Sequence, residues 1–260
     1  MPILTLTTDW IQDDYYAGAI KGKLLSAHPG LQIVDITHRI PPFNTARAAF
    51  VLKNSYRHFP EGTVHLLCVN SEPAPGEALV ALKYNGHFFI GNDNGIFGLI
   101  FKDEPEAVVE LEMADDDPPS FVSLTVFVNA ACRILSGEPL ENLGSKRDKP
   151  ARSVPRRATI DKDVINGSVI YIDSYQNAIT NITKELYDRI GRGRHFEIAL
   201  QSNHYKLNRI NKTYGETSVG ELLVLFNSLG LLEVALNRGN AAELLNLGTS
   251  STIRIRFYDK

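Results

Sequence analysis

Residues 3–22 read ILTLTTDWIQDDYYAGAIKG, and the fold turns on this one stretch. An apolar run of strand length ends in an acid, Asp9. More acids and aromatics follow, then a spacing that predicts a helix from Asp13 to about Ala27, closed by His28-Pro29-Gly30. Working outward, LQIVDIT predicts a second strand and TARAAFVLKNSYRHF a second helix with Asn44 as its N-cap. TVHLLCV predicts a third strand. This alternation is that of an α/β domain with a largely parallel sheet. ALVALKY and HFFIG flank Asn85-Gly86, a two-residue hairpin turn, and VSLTVFVNAACRILSG reads as a helix ended by Gly137.

Beyond it the composition shifts. LGSKRDKPARSVPRRATIDKD is basic, punctuated by proline and poor in large apolar residues. We therefore expect an N-terminal α/β domain over 1–150, a linker over 151–163, and a smaller β-barrel domain over 164–260. The last holds the short strands NGSVIYID, HFEIAL, ELLVLFNS, LLEVALN and STIRIRF, with a helical piece around NITKELYDRI. The linker's charges carry no interleaved aromatics, so it reads as a solvated connector.

With 260 residues, 43% hydrophobic and 22% charged, the chain has the material for a real core. A formal net charge of −3 argues against nucleic acid or a membrane surface as partner. Cys68 and Cys132 lie in apolar runs and read as buried, reduced thiols; neither CxxC nor HExxH occurs, so no zinc spacing is present. MPILTLTTD lacks the basic start of a secretion signal, and no apolar run approaches membrane-span length. The expectation is a cytoplasmic protein.

In an open α/β sheet, ligands bind beyond the carboxyl ends of the strands. Asp9, the DITHRIPPFN turn and Asn70 should share that rim. Three explanations of Asp9 stand open: a helix cap, a calcium ligand as in nucleoside-hydrolase-type enzymes, and a clamp on a ribose diol, whose two hydroxyls suit one carboxylate. Thr7, two residues earlier, removes one carboxylate that the metal reading expects. GNDNGIF (91–97) reads as a tight turn or a polar site. YIDSYQNAITNI (171–182) gathers Asp173, Tyr175 and Asn177, a set able to hold an amino group, stack a purine and read its edge. FNSLGLLEVALNRGNAAELL (226–245) ends strands in Asn227-Ser228 and Asn237.

Together these stretches resemble the S-adenosyl-L-methionine (SAM) hydroxide adenosyltransferases, relatives of the SAM-dependent fluorinase and chlorinase. The opening motif matches at Asp9, Asp14, Tyr16, Gly18, Lys21 and Gly22. The ITHxIPP turn matches from Ile36 to Pro42, and the DNG turn at Asp93 to Gly95. The D-x-F-G-N-x-I-T-N-I element matches at Asp173, Asn177 and Ile179 to Ile182, with Tyr175 for Phe. NSxGLLEIAxNxGNAA matches from Asn227 to Ala242. The resemblance implies SAM as substrate, no separate cofactor or metal, and a homotrimer with the ligand between one subunit's N-terminal domain and a neighbour's C-terminal domain. It implies that Asp9 and Asp14 belong to the binding site, with Asp9 on the ribose hydroxyls and Phe43 near the sugar. Asp173 would take the methionine ammonium, Asn177 would read adenine, and Tyr175 and Tyr214 would flank the purine. Ser228 would lie by the methionine carboxylate, with Asn227 and Asn237 in the same element.

The chain departs from that family where it matters for chemistry. Hydroxide-transferring members are similar in an Asp-Arg-His trio that prepares water. Here the three positions are Asn70, Glu77 and Val122. Glu72 or Glu77 stands near enough in sequence to substitute, and Ile11 replaces a glycine. Ser123 aligns with the serine that halide-using relatives present to their anion, and serine is also a common helix N-cap. Asn70 and Ser123 are the candidate catalytic residues. Two functions follow: cleavage of SAM by displacement at C5′ with hydroxide or a small anion, or binding of SAM or adenosine without turnover. A calcium-dependent nucleoside hydrolase is the lesser alternative.

Overall fold

The computed structural model describes residues 1–11, 14–114, 119–200 and 202–259. The chain divides into two compact units, Met1–Pro155 and Arg156–Lys260.

The first unit is built on β1 (Ile3–Thr8), α1 (Tyr15–Ala27), β2 (Gln32–Thr37), α2 (Thr45–Lys53), β3 (Val64–Cys68), β4 (Leu79–Tyr84), β5 (His87–Asn92), α3 (Ile96–Ile100), β6 (Ala107–Glu110), α4 (Val128–Leu135) and β7 (Ser145–Lys146). Its seven-stranded sheet runs in the order β2-β1-β3-β5-β4-β6-β7. The first four strands in this order are parallel, and the β4/β5 hairpin then turns the rest antiparallel, so the sheet is mixed, with a parallel part and an antiparallel edge. Alternation along β1 and β3 sends Leu4, Leu6, Leu66 and Cys68 toward α1 and α4, and Leu67 and Val69 toward α2 and α3. The predicted hairpin turn forms with Asn85 and Gly86 both at positive φ, the type I′ geometry that matches strand twist.

Asn44 caps α2 by accepting from Arg47 N at 2.9 Å. The helix stops at Lys53, short of Phe59, and a 3-10 turn, Tyr56–His58, follows. The start predicted for α1 at Asp13 lies outside the described residues; Asp14 occupies the N-cap position without a side-chain bond. The helix predicted from Val122 is a continuous run whose first stretch, Ser123–Phe127, is wound as a π-helix before α4.

The second unit holds β8 (Thr159–Asp161), β9 (Val164–Ile172), β10 (Ala178–Thr183), α5 (Lys184–Gly191), β11 (His195–Leu200), β12 (Ser202–Leu207), β13 (Leu222–Phe226), β14 (Leu231–Leu236), α6 (Ala241–Leu244) and β15 (Thr252–Tyr258). Its barrel-like antiparallel sheet runs β12-β11-β15-β9-β10-β14-β13, with β8 on β9. Strict alternation in β15 buries Ile253, Ile255 and Phe257 in one core with Ile165, Ile198, Val224 and Val234. Apart from β7, the basic stretch after Gly144 carries no helix or strand until β8 begins. Among the described residues no helix is long and apolar enough to cross a membrane.

Candidate functional site

Asp9 sits just past β1, where the strand end would leave a carboxylate desolvated without donors. It has two. Asp9 Oδ2 accepts from Phe43 N at 2.9 Å and from Asn70 N at 3.2 Å. Both donors are left-handed, Phe43 at φ 63° and Asn70 at φ 48°. Asparagine tolerates that region, but for phenylalanine it is a strained conformation held by its surroundings. The left-handed backbone turns each N–H toward one carboxylate oxygen, Oδ2, and Oδ1 is without a protein partner among the described residues. The capping explanation of Asp9 fails here, because its donors come from the loops after β2 and β3 and not from α1.

The strand end is braced from behind. Thr8 Oγ1 accepts from Trp10 N at 3.3 Å and shares a hydrogen bond with His38 Nδ1 at 2.9 Å. His38 Nε2 lies 3.2 Å from Asp35 Oδ1 without hydrogen-bond geometry, and Lys21 holds the other oxygen of Asp35. His38 and Lys21 belonged to the matched motifs, yet their joint role needed the fold. The next residue, Trp10, belongs to an aromatic group: it is 5.6 Å from Tyr16 and 5.7 Å from Phe121 between ring centroids. The Tyr16 phenol is raised above its ordinary range, first by neighbouring Tyr15 and then by burial, Asp14 and Glu72. Phe43 is 72% exposed.

The loop after β3 is fixed by Asn92, whose Nδ2 donates to Asn70 O at 3.1 Å and to Glu77 Oε2 at 2.8 Å. Glu77 Oε2 also accepts from Ala74 N, so this acid is spent on holding its own loop. The GNDNGIF stretch proves structural. Asn94 Nδ2 donates to Asn70 O, and the buried Asp93 carboxylate accepts from Ala151 N and lies 3.4 Å from Arg147. Burial raises the Asp93 pKa, with the Ala151 N–H and Arg147 opposing it.

Ser123 is 1% exposed and its hydroxyl has no hydrogen-bond partner among the described residues. The N-cap explanation of Ser123 is overturned: the preceding Val122 already has helical angles, and Ser123 begins the π-helical stretch. A π-bulge re-aims side chains and recurs at functional sites. The Cys68 thiol, pushed up to about 12 by burial, is eased by Ser123 and raised further by Asp9 and Glu72. Ser123 influences Cys68 without a hydrogen bond of proper geometry, and this places it beside the end of β3 where Asp9 and Asn70 lie. Val122 is fully buried.

In the second unit, Asp173, Tyr175 and Asn177 form one turn before β10. Asp173 Oδ1 accepts from Tyr175 N at 2.9 Å and Asn177 N at 2.8 Å, and Oδ2 from Asn177 Nδ2 at 3.2 Å. Tyr175 projects, 77% exposed. Tyr214 donates to Glu233 Oε1 at 2.8 Å, and Asn227 Nδ2 to Glu233 Oε2 at 3.0 Å. Asn227 Oδ1 also accepts from Leu229 N and Leu231 N, which closes the turn that exposes Ser228. Asn237 Nδ2 donates to Thr217 O at 2.7 Å, a tie that holds the Tyr214 loop. Glu233 was missed by sequence reasoning, although an acid inside the apolar run LLEVAL was its signal. Among the described residues, no group of three or more His, Cys, Asp or Glu side chains is arranged to hold a metal ion.

Comparison with known proteins accounts for both units. The family model of the SAM hydroxide adenosyltransferase N-terminal domain matches residues 4–144, and that of the C-terminal domain residues 167–254. An (R)-S-adenosyl-L-methionine hydrolase of Thermus thermophilus is 30% identical over 95% of this chain and 97% of its own. A fluorinase of an Actinoplanes species is 24% identical over 98% and 97%. The crystal structure of an uncharacterized conserved protein from Thermotoga maritima superposes with a TM-score of 0.87 at 26% identity, covering 98% of this chain and 99% of that one. Two domain matches in order, and a relative of 30% identity spanning nearly the whole chain, place it: this chain belongs to the SAM hydroxide adenosyltransferase family.

Proposed function

We propose that this chain cleaves S-adenosyl-L-methionine at C5′, releasing L-methionine. The observation that carries the reading is the Asp9 carboxylate, held by two backbone N–H groups of left-handed residues with one oxygen left for a ligand. A ribose diol supplies the two hydroxyl donors that such a group accepts. The nucleophile attacks C5′ as the C5′–S bond breaks, and the bonding pair stays on sulfur, which turns a sulfonium cation into a neutral thioether. The aromatic faces of Trp10 and Phe121 suit the cationic ground state. Asp173, Tyr175, Asn177, Tyr214, Asn227, Ser228 and Asn237 serve the methionine and adenine ends. Asp14 lies at the rim. The relatives' family expectation of a homotrimer, one copy's Asp9 region and another's Asp173 region serving one ligand, is part of this proposal.

Water as nucleophile must lose a proton, and neither Asn70 nor Val122 can take it. A small anion needs no base. The Ser123 hydroxyl, sealed from water and without a partner to give up, favours an anion stripped of solvent. The replaced trio also supports a second reading, tight binding of SAM or adenosine without turnover. Incubation with SAM, alone and with chloride or fluoride, separates the two: methionine together with adenosine or a 5′-halogenated adenosine marks cleavage. Calorimetric binding with no product marks the second reading. Asp9→Ala is expected to abolish both binding and product; unchanged behaviour would remove Asp9 from the sugar.

A further inference from the structure

Glu233 sits in the middle of β14 on the face turned away from the barrel core. Its neighbours Leu232 and Val234 point into that core, while Ala235, on the same side as Glu233, packs with Leu223 and Leu225. The carboxylate is 2% exposed, and among the described residues no Lys, Arg or His forms an ion pair with it. A buried acid without a cation costs several kcal/mol unless its oxygens are satisfied. Both are, by neutral donors: Tyr214 Oη on Oε1 and Asn227 Nδ2 on Oε2. Asn227 has no freedom to turn over, because its own Oδ1 accepts two backbone N–H groups. Tyr214, on a short 3-10 turn with its ring 45% exposed, owes its direction to the hydroxyl's grip. The Tyr214 phenol is raised by burial first, then by its bond to Glu233 and the charges of Glu233 and Asp173.

We propose that Glu233 is the positioning residue of the second unit's ligand surface, one buried carboxylate that fixes the Tyr214 ring and the Asn227-Ser228 turn together. The assignment rests on the functional reading above, in which Tyr214 lies against the purine and Ser228 by the methionine carboxylate. Glu233 touches no ligand. It sets the angle at which two surface groups meet one, and so couples the adenine end to the amino-acid end.

Adenosine titrated calorimetrically into the whole protein tests this. Glu233→Ala is expected to weaken adenosine binding about tenfold or more, equivalent to about 1.4 kcal/mol. Glu233→Gln, which still offers an oxygen to Asn227 and an N–H to Tyr214, is expected to stay within about threefold of the parent, well under that 1.4 kcal/mol. In a Tyr214→Phe background, Glu233→Ala should cost clearly less than it does alone, a coupling that a purely structural role would not produce. A folded Glu233→Ala variant that binds as tightly as the parent, or fully additive losses, overturns the assignment. A parent protein that binds neither adenosine nor SAM overturns the functional reading instead. Should the alanine variant fail to fold, the Tyr214 phenol, followed by carbon NMR in Glu233→Gln, should titrate closer to 10 than in the parent. An unshifted titration sinks the pairing.

Discussion

Phe43 shows what a single residue gives up for a site. At φ 63° an L side chain is strained, and the return is an N–H aimed at Asp9. Phe43→Gly should relieve the strain and raise the urea midpoint by an amount equivalent to about 1 kcal/mol, while weakening adenosine binding through loss of the ring. A second residue-scale feature lies at the opposite ends of the strands. Thr5 Oγ1, His65 and His87 form a buried chain, 2.7 Å and then 3.2 Å between polar atoms, beside Tyr56, Phe59 and Phe89. Burial, then His87, lowers the His65 pKa from 6.5 to about 3. The unfolded chain therefore binds the proton more readily. The stabilising contribution of neutral His65 is complete above pH 6.5 and is lost as pH falls from there toward 3. His87 is lowered too, again by burial, with Glu61 opposing. Urea unfolding followed from pH 7.5 to 4.5 should show a falling midpoint, and His65→Phe should flatten that slope even if it lowers the whole curve. An unchanged slope would place the acid sensitivity elsewhere.

Among the elements, the stretch from Arg147 to Ser153 is laid over α3 and the turn before it. Asp93 accepts Ala151 N, and a Cβ on Gly98 would stand 2.6 Å from Ser153 N and 2.9 Å from its O. Gly98→Ala cannot be accommodated without moving that backbone, and should destabilise by about 1–3 kcal/mol, read from thermal unfolding. Faster hydrogen exchange at the Ala151 amide would locate the damage; an unperturbed Ala151 would show that the strap gives way without cost. Elements also divide what was legible. The β4/β5 hairpin was readable because Asn-Gly specifies its turn. β10 was not, since its residues ITNI were read for their chemistry and its pairing with β14 is non-local. The π-helical winding at Ser123 leaves no periodic signature in five residues, so the N-cap reading was the natural one and was wrong.

For the whole molecule, the proposed trimer predicts that light scattering on the purified protein gives three times the 28.9 kDa chain mass. A monomer that still binds SAM would remove the shared-ligand part of the proposal. At this scale the sequence by itself determined a great deal. Hydrophobic periodicity and turn residues sufficed for an α/β unit followed by a barrel-like β unit, and ordered motifs sufficed for the family, because both are properties of local runs. It also put Asn70, Glu77 and Val122 where the resemblance implies an Asp-Arg-His trio, a departure visible letter by letter. Only the tertiary structure decided which polar side chains are free to act. It committed Glu77 and Asp93 to their own loops, left Asp9 Oδ1 and the Ser123 hydroxyl without protein partners among the described residues, and joined Tyr214 to Asn227 through Glu233. Those outcomes depend on which atoms of distant segments meet, and burial makes each such meeting costly to leave unmade.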